Sequence, residues 1–329
     1  MSNEFIIPSV AEANAKLGKC HFPLARGDDL HQSFAHAFSR HFGRLQAAES
    51  FDAHGLLVTG QSGTGKTTEI MKLISRFNES SVPLPNGNTA RFVHCELDGK
   101  STWKDLGRKT LKALGYPISD KTRRTQFEIW SLVAKQTELQ GVIGIHYDEA
   151  QHIMRGKSDN EILSVLDAFK TLMKSDAWPL MLILSGIPEL ESYVRREPQL
   201  DRLLFRLEFG EIDLHSSSDG PSPDYSVLNE IVGSYAIKTG LHVEQSLMTG
   251  DFLHRLATAG AFRWGLVIYI VGEAISLSMT RESSRLEHRD FVSFWCRRTG
   301  MNELVTPFTH EAYERVFPKD QPYRSVMLP

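Results

Sequence analysis

Three cysteines in 329 residues, Cys20, Cys95 and Cys296, are too few and too scattered for a disulfide framework, and no Cys-x-x-Cys pair offers a zinc clamp. A reducing, cytoplasmic setting is the expectation. An excess of one charge is lacking as well: 37 Lys and Arg against 40 Asp and Glu leave a formal net charge of −3. No global basic field advertises nucleic acid, so any such binding must use a local patch. No apolar run approaches the ~18 residues of a membrane span. The start, Met1-Ser2-Asn3-Glu4-Phe5-Ile6-Ile7-Pro8, lacks the basic region and the apolar length of a secretory leader. Internal repeats and low-complexity tracts are missing too. What remains is a globular composition, 41% hydrophobic and 23% charged, long enough for one large or two smaller domains.

Against that background one stretch stands out. Gly60-Gln61-Ser62-Gly63-Thr64-Gly65-Lys66-Thr67 fits G-x-x-x-x-G-K-[ST], the phosphate-binding loop. Before it, Gly55 to Thr59 is a short apolar run that reads as a buried strand. After it, starting at Thr68, the apolar residues Ile70, Leu73, Ile74 and Phe77 share one helix face. The chemistry needs this order. Glycines let successive backbone N–H groups converge on phosphate oxygens, and the helix N-terminus adds partial positive charge. Lys66 can then reach the outer phosphates of ATP, and the Thr67 hydroxyl can ligate Mg²⁺.

Strand and helix signals alternate through the first two thirds of the chain. Residues 1–25 read as an irregular N-terminal extension. A helical pattern begins at Asp28, strands are expected at 55–60, 91–97, 142–147, 180–184 and 207–214, and helices lie between them. That alternation predicts an α/β domain, a parallel five-stranded sheet flanked by helices, over 26–215. Ser216 to Pro223 is the clearest linker. Helical segments at 224–239, 246–258, 263–280 and 287–298 then predict a small all-helical domain over 224–300, leaving 301–329 as a tail. The run Leu266 to Val271 resembles a strand, but Ala274, Ile275, Leu277 and Met279 after it favour a buried helix.

The third strand ends at Asp148-Glu149. Its tip can set the Asp148 carboxylate beside the loop to hold Mg²⁺ through water, and Glu149 to take a proton from an attacking water. Ser185, at the end of the fourth strand, can hydrogen-bond that water or a phosphate, although a simple strand-to-turn serine fits equally well. Among Arg195, Arg196, Arg202 and Arg206, the best candidates to reach a neighbouring subunit's γ-phosphate are Arg206 and then Arg202. Arg263, at a helix start in the second domain, can fold over a nucleotide and report its presence. A surface role remains open for each arginine.

Together these residues resemble the AAA+ ATPases, and within them the transposition regulators of the TniB, TnsC and MuB kind. The resemblance rests on Gly60 to Thr67, on Asp148-Glu149-Ala150-Gln151-His152-Ile153 and on Leu184-Ser185-Gly186-Ile187-Pro188-Glu189-Leu190. Pro198-Gln199-Leu200 with the two arginines and Ala259-Gly260-Ala261-Phe262-Arg263-Trp264-Gly265 add to it. It implies ATP and Mg²⁺ as cofactors, oligomers on double-stranded DNA as rings or filaments, and recruitment of a DDE transposase at a chosen target, aided by a target-selection factor. It also implies that Leu24 to Leu30 packs near the adenine. Two departures stand out: Ser185 occupies a place where Thr or Asn is commoner, and Arg202-Leu203-Leu204-Phe205-Arg206 replaces a shorter Arg-Phe. An origin-recognition or helicase-loading ATPase would share the core motifs, and a non-hydrolysing assembly switch would share the loop.

In the resembled proteins the insertion after the second strand faces DNA. Here it carries Lys100, Ser101, Thr102 and Lys104, followed by Lys121, Arg123 and Arg124. These can hold phosphates without reading sequence, and a solvated helical face is the competing reading. Few contacts per subunit suffice when subunits repeat along DNA.

Overall fold

The computed structural model describes residues 4–48, 50–97, 102–119, 123–216, 220–317, 319 and 322–323. The chain divides into two compact units, Leu24–Gly210 and Met1–Pro23 together with Glu211–Pro329.

The first unit holds helix α2 (Ala25–Ala47), strand β1 (Gly55–Thr59), α3 (Lys66–Glu79) and β2 (Arg91–Glu96). It continues with α4 (Trp103–Ala113), α5 (Gln126–Leu139), β3 (Val142–Asp148), α6 (Asp159–Met173) and β4 (Met181–Gly186), then α7 (Glu189–Val194), α8 (Pro198–Asp201) and β5 (Leu204–Glu208). The strands pair in parallel in the order β2-β3-β4-β1-β5. β1, β3 and β4 are buried along their whole length, as expected of a parallel sheet covered on both faces. Alternating side chains feed two cores. Leu57, Val93, Ile145, Tyr147, Leu182 and Leu184 pack with α4, α5 and α6. Leu56, Val58, Phe92 and Ile183 pack with α2 and α3, where Phe34 meets Phe77 and Phe92 edge-on at 5.3 and 5.1 Å. By the same period of two, His94, His146, Asp148 and Ser185 fall on the face of α3, the helix that begins with the phosphate loop.

Two expectations for this unit shift. The fifth strand is Leu204–Glu208, earlier than 207–214, because pairing with β1 from Gly55↔Leu204 to Thr59↔Glu208 sets its register; Arg206 therefore lies within the strand. The helix expected near 188–204 is two short ones. Pro198 cannot continue a helix but suits the first position of the next, where Glu197 accepts from the Gln199 N–H.

In the second unit, residues expected to be irregular form α1 (Pro8–Leu17). It buries Ala13, and Asn14 Nδ2 donates to Ser276 Oγ at 3.2 Å. α9 (Asp224–Thr239), α10 (Gly250–Ala259), α11 (Trp264–Thr280) and α12 (His288–Thr299) lie close to the sequence reading, and Leu266–Val271 is helical. This unit is not wholly helical: β6 (His242–Val243) and β7 (Arg285–Leu286) form a short parallel pair. Phe308, 3% exposed, stacks on Phe252, and Tyr313 of α13 (Tyr313–Val316) is buried, so these residues anchor the described part of the tail. No single described helix is long and apolar enough to cross a membrane.

One buried group ties the first unit's stability to pH. His41 on α2 is 2% exposed, meets Phe51 edge-on at 5.0 Å, and finds no hydrogen-bond partner for either ring nitrogen among the described residues. Burial pushes its pKa down to about 4. The unfolded chain therefore binds this proton more readily. The stability gained by keeping His41 neutral is complete above its ordinary pKa of about 6.5 and is lost as pH falls toward 4. At pH 5 the expected loss is about 2 kcal/mol, or ~4–8 °C in Tm for a unit of this size. His41→Phe should flatten that acid-side slope in Tm scans from pH 5 to 8; unchanged slopes would assign the loss to other groups.

Candidate nucleotide site

The loop Gly60 to Thr67 joins β1 to α3. Gly65, at φ +95°, takes the left-handed conformation that lets the chain turn into the helix, and no side chain caps the first turn of α3. Helix N–H groups left without a side-chain cap form an anion site. Lys66 is 4% exposed; its ammonium folds back over the loop and donates to the Gly60 and Gln61 carbonyls at 2.8 and 3.1 Å. Thr64 Oγ1 donates to the Gln61 carbonyl at 2.9 Å. Gln61, Ser62, Thr67 and Thr68 are exposed around this cradle, with Gly63 half-buried. A buried ammonium beside an uncapped helix start suits phosphate.

β4 lies between β1 and β3, so the tips of three neighbouring strands converge. Thr67 Oγ1 donates to Asp148 Oδ2 at 2.7 Å, joining the loop to the third strand. Ser185 Oγ donates to Asp148 Oδ1 at 2.5 Å, and the Glu149 amide donates to the same oxygen at 3.0 Å. Burial raises the Asp148 pKa, but hydrogen bonds from Ser185 and Thr67 outweigh it, helped by His146 and the Glu149 amide, and the net shift is downward. Asp148 is thus an ionised acceptor in contact with a hydroxyl. That pair of oxygen donors fits a hydrated Mg²⁺.

Glu149 sits in the left-handed region at φ +52°, a conformation that costs a non-glycine residue about 1–2 kcal/mol. Gln151 Nε2 donates to Glu149 Oε2 and holds the side chain. Gly186 makes room for this arrangement, since a Cβ there would lie 2.1 Å from Gln151 Oε1. In the sequence, only the place of Gln151 two residues after Glu149 signals a role for it.

Three more residues near the loop have little signal in the sequence. His94 and His146 are directly paired across β2 and β3, with their Nδ1 atoms 2.9 Å apart, and His146 Nε2 lies 2.7 Å from Ser185 Oγ. The polar character of His146 on a buried strand was the available signal. Arg26, in the stretch compared with an adenine-packing segment, lies beside the loop: a Cβ on Gly65 would be 3.3 Å from its Nη2. Its guanidinium sits 5.1 Å from the Phe209 ring centroid, and its Nε and Nη1 find no hydrogen-bond partner among the described residues. Burial lowers the Arg26 pKa to about 10, partly offset by Glu69.

Arg206 is engaged within its own unit, paired with Asp201 and with Glu191 at 3.1 Å. Arg202 is exposed and has no ion-pair partner among the described residues. Arg195 and Arg196 pair with Glu191 and Asp159. Arg263, at the N-terminal boundary of α11 in the other unit, is 7% exposed and donates to the Lys319 carbonyl at 3.3 Å.

Of the residues considered for DNA, Lys100, Ser101 and Lys121 lie outside the described residues. Thr102 caps α4, accepting from the Asp105 N–H at 3.1 Å, so its hydroxyl already has a structural task. Arg123 and Arg124 are exposed just before α5, and Lys104 is half-buried in the first turn of α4. The two helix starts meet where Trp103 stacks on Trp130 at 4.2 Å. Lys104 and Arg124 both act on the Glu128 carboxyl, whose pKa is lowered first by hydrogen bonds from Thr125 and then by these cations.

A phosphate loop after β1, an acidic pair at the tip of β3 and this strand order define the AAA+ P-loop fold, here with a helical C-terminal region. Residues 49–194 match the family described as the AAA domain. No curated protein matches the chain in sequence. Among solved structures, Cdc6p from Pyrobaculum aerophilum superposes with a TM-score of 0.60 at 14% identity, covering 86% of this chain and 70% of that one. The Aeropyrum pernix ORC2 protein in its ADPNP–ADP complexes gives 0.54 at 13% identity, covering 84% and 70%. The Aeropyrum pernix ORC1 protein in complex with DNA gives 0.58 at 15% identity, covering 84% and 65%.

Proposed function

We propose that this chain is an ATP-hydrolysing AAA+ regulator of DNA transposition that assembles on duplex DNA. The observation that carries the ATPase part is the Thr67–Asp148 hydrogen bond, which sets a hydroxyl and a carboxylate together beside a buried loop lysine. In this reading the backbone of Gly60 to Thr67 and Lys66 bind the phosphates, and Arg26 adds charge at their edge. Thr67 and Asp148 would hold Mg²⁺, which would supply charge neutralisation at the phosphates. Glu149 takes the proton of the attacking water, and Ser185 orients that water. Arg202 or Arg206 reaches the nucleotide of a neighbouring copy, and Arg263 reports its presence. The free guanidinium of Arg202 favours it over Arg206, whose ion pairs would first have to break.

DNA contact is assigned to Lys100, Ser101, Lys104, Lys121, Arg123 and Arg124, and Thr102, whose hydroxyl is taken up by Asp105, is left to cap α4. The transposition assignment is supported by the sequence resemblance, and the partners it names are duplex DNA, further copies of this chain, a transposase and a target-selection factor. Filter binding with duplex DNA and a slowly hydrolysed ATP analogue tests it. Retention should need the nucleotide and should weaken steeply with salt. Replacing Lys104, Arg123 and Arg124 by Ala should lower the slope of log K against log salt by about 0.9 for each phosphate that a subunit no longer neutralises. No retention even at low salt would sink the DNA assignment.

A second reading is favoured by the likeness to Cdc6p and to the DNA-bound ORC1 structure: an origin-recognition or helicase-loading ATPase. Stimulation of strand transfer by a DDE transposase supports the first reading; preference for one DNA site with no such stimulation supports the second.

A further inference from the structure

We propose that His146 is a positioning residue which, held between His94 and Ser185, fixes the direction of the Ser185 hydroxyl and so orders both Ser185 and Asp148 at the nucleotide site. This rests on the ATPase reading, but one of its tests does not.

His146 is fully buried on β3, on the α3 face of the sheet, where its apolar counterparts are Ile183 on the adjacent β4 and, one strand further, Leu56 and Val58 on β1. A buried imidazole is costly unless both ring nitrogens are satisfied, and here both are. Counting protons fixes the direction of the chain. Asp148 is an ionised carboxylate and can only accept, so the hydroxyl proton of Ser185 points to Asp148 Oδ1. Ser185 Oγ must then accept from His146, which places the proton of that ring on Nε2. His146 Nδ1 is left as an acceptor and takes the Nδ1–H of His94. The result is one-directional: His94 to His146 to Ser185 to Asp148, with Thr67 donating to the other carboxylate oxygen.

The arrangement limits what Ser185 can do. Its proton is spent on Asp148, so it cannot donate to a phosphate at the same time, and its remaining lone pair can accept from a water. Without His146 the hydroxyl has no fixed partner behind it and can rotate away, which also frees one oxygen of Asp148. Groups that orient a metal-site ligand from behind typically matter by 10- to 100-fold.

The test uses the full chain in four forms: wild type, His146→Leu, His146→Gln and Ser185→Ala. His146→Leu should lower kcat for ATP by ~10- to 100-fold while changing fluorescent-nucleotide Kd less than about threefold. His146→Gln, whose amide can still donate to Ser185, should recover most of the loss. Adding His146→Leu to Ser185→Ala should cost little more than Ser185→Ala alone. Equal loss in the Leu and Gln variants, unchanged kcat in the Leu variant, or additive effects with Ser185→Ala would overturn the proposal. Independently of turnover, ¹⁵N imidazole shifts in histidine-labelled wild type should show His146 as the Nε2–H tautomer and His94 as the Nδ1–H tautomer; the opposite assignment overturns it. That measurement stands if His146→Leu fails to fold. A wild type that shows these tautomers but no hydrolysis would defeat the ATPase reading and leave the hydrogen-bond chain in place.

Discussion

Replacing Lys66 by Ala should weaken Mg-ATP binding by at least ~100-fold. Lys66 is 4% exposed and its ammonium is held by two loop carbonyls, so it is already at the cradle and needs only to swing from those carbonyls onto phosphate oxygens. Hydrogen bonds to charged groups are worth about 1.5–3 kcal/mol each, and losing even one or two of them reaches that factor. The helix N-terminus alone cannot compensate, because its contribution is about 0.3–1 kcal/mol. A fluorescent ATP analogue titrated against both proteins measures the difference. An affinity within tenfold of wild type would place the phosphates somewhere other than Gly60 to Thr67.

Glu149→Gln should separate binding from chemistry. The amide keeps the size of the side chain but cannot accept a proton from water, so turnover should fall by about 10²–10⁴-fold. Nucleotide affinity should stay within a few-fold, since Lys66, Thr67 and Asp148 are untouched. The strained backbone at φ +52° is set by the turn after β3 and should persist in the variant. Nucleotide-bound assemblies should consequently outlast those of wild type. Single-turnover phosphate release on protein preloaded with ATP reads this directly; release at the wild-type rate would remove Glu149 from the chemistry.

The phosphate loop, β1 and α3 were legible because glycine spacing and a strict apolar face are local signals, although α3 begins at Lys66, two residues before the Thr68 start read from the sequence. Asp148 and Glu149 were legible for the same reason, as acids ending an apolar run. The strand β5 was misplaced because its bounds depend on pairing with β1, a contact between residues about 150 positions apart that no local pattern carries. Likewise α1 was missed: it is only ten residues long, it buries only Ala13, and its packing partner Ser276 lies 262 residues away. His94 and Arg26 look unremarkable in sequence. Only the strand register sets His94 opposite His146, and only the fold of α2 brings Arg26 to Gly65.

If the nucleotide held at Lys66, Thr67 and Asp148 governs association of many copies with DNA, the assembly must depend on which nucleotide is bound. Electron microscopy of the chain with duplex DNA, in the presence of a slowly hydrolysed ATP analogue or of ADP, tests that dependence most directly. Ordered oligomers on DNA with the analogue and few or none with ADP are predicted. Single copies away from DNA with both nucleotides at low salt, or equal decoration with both, would contradict it.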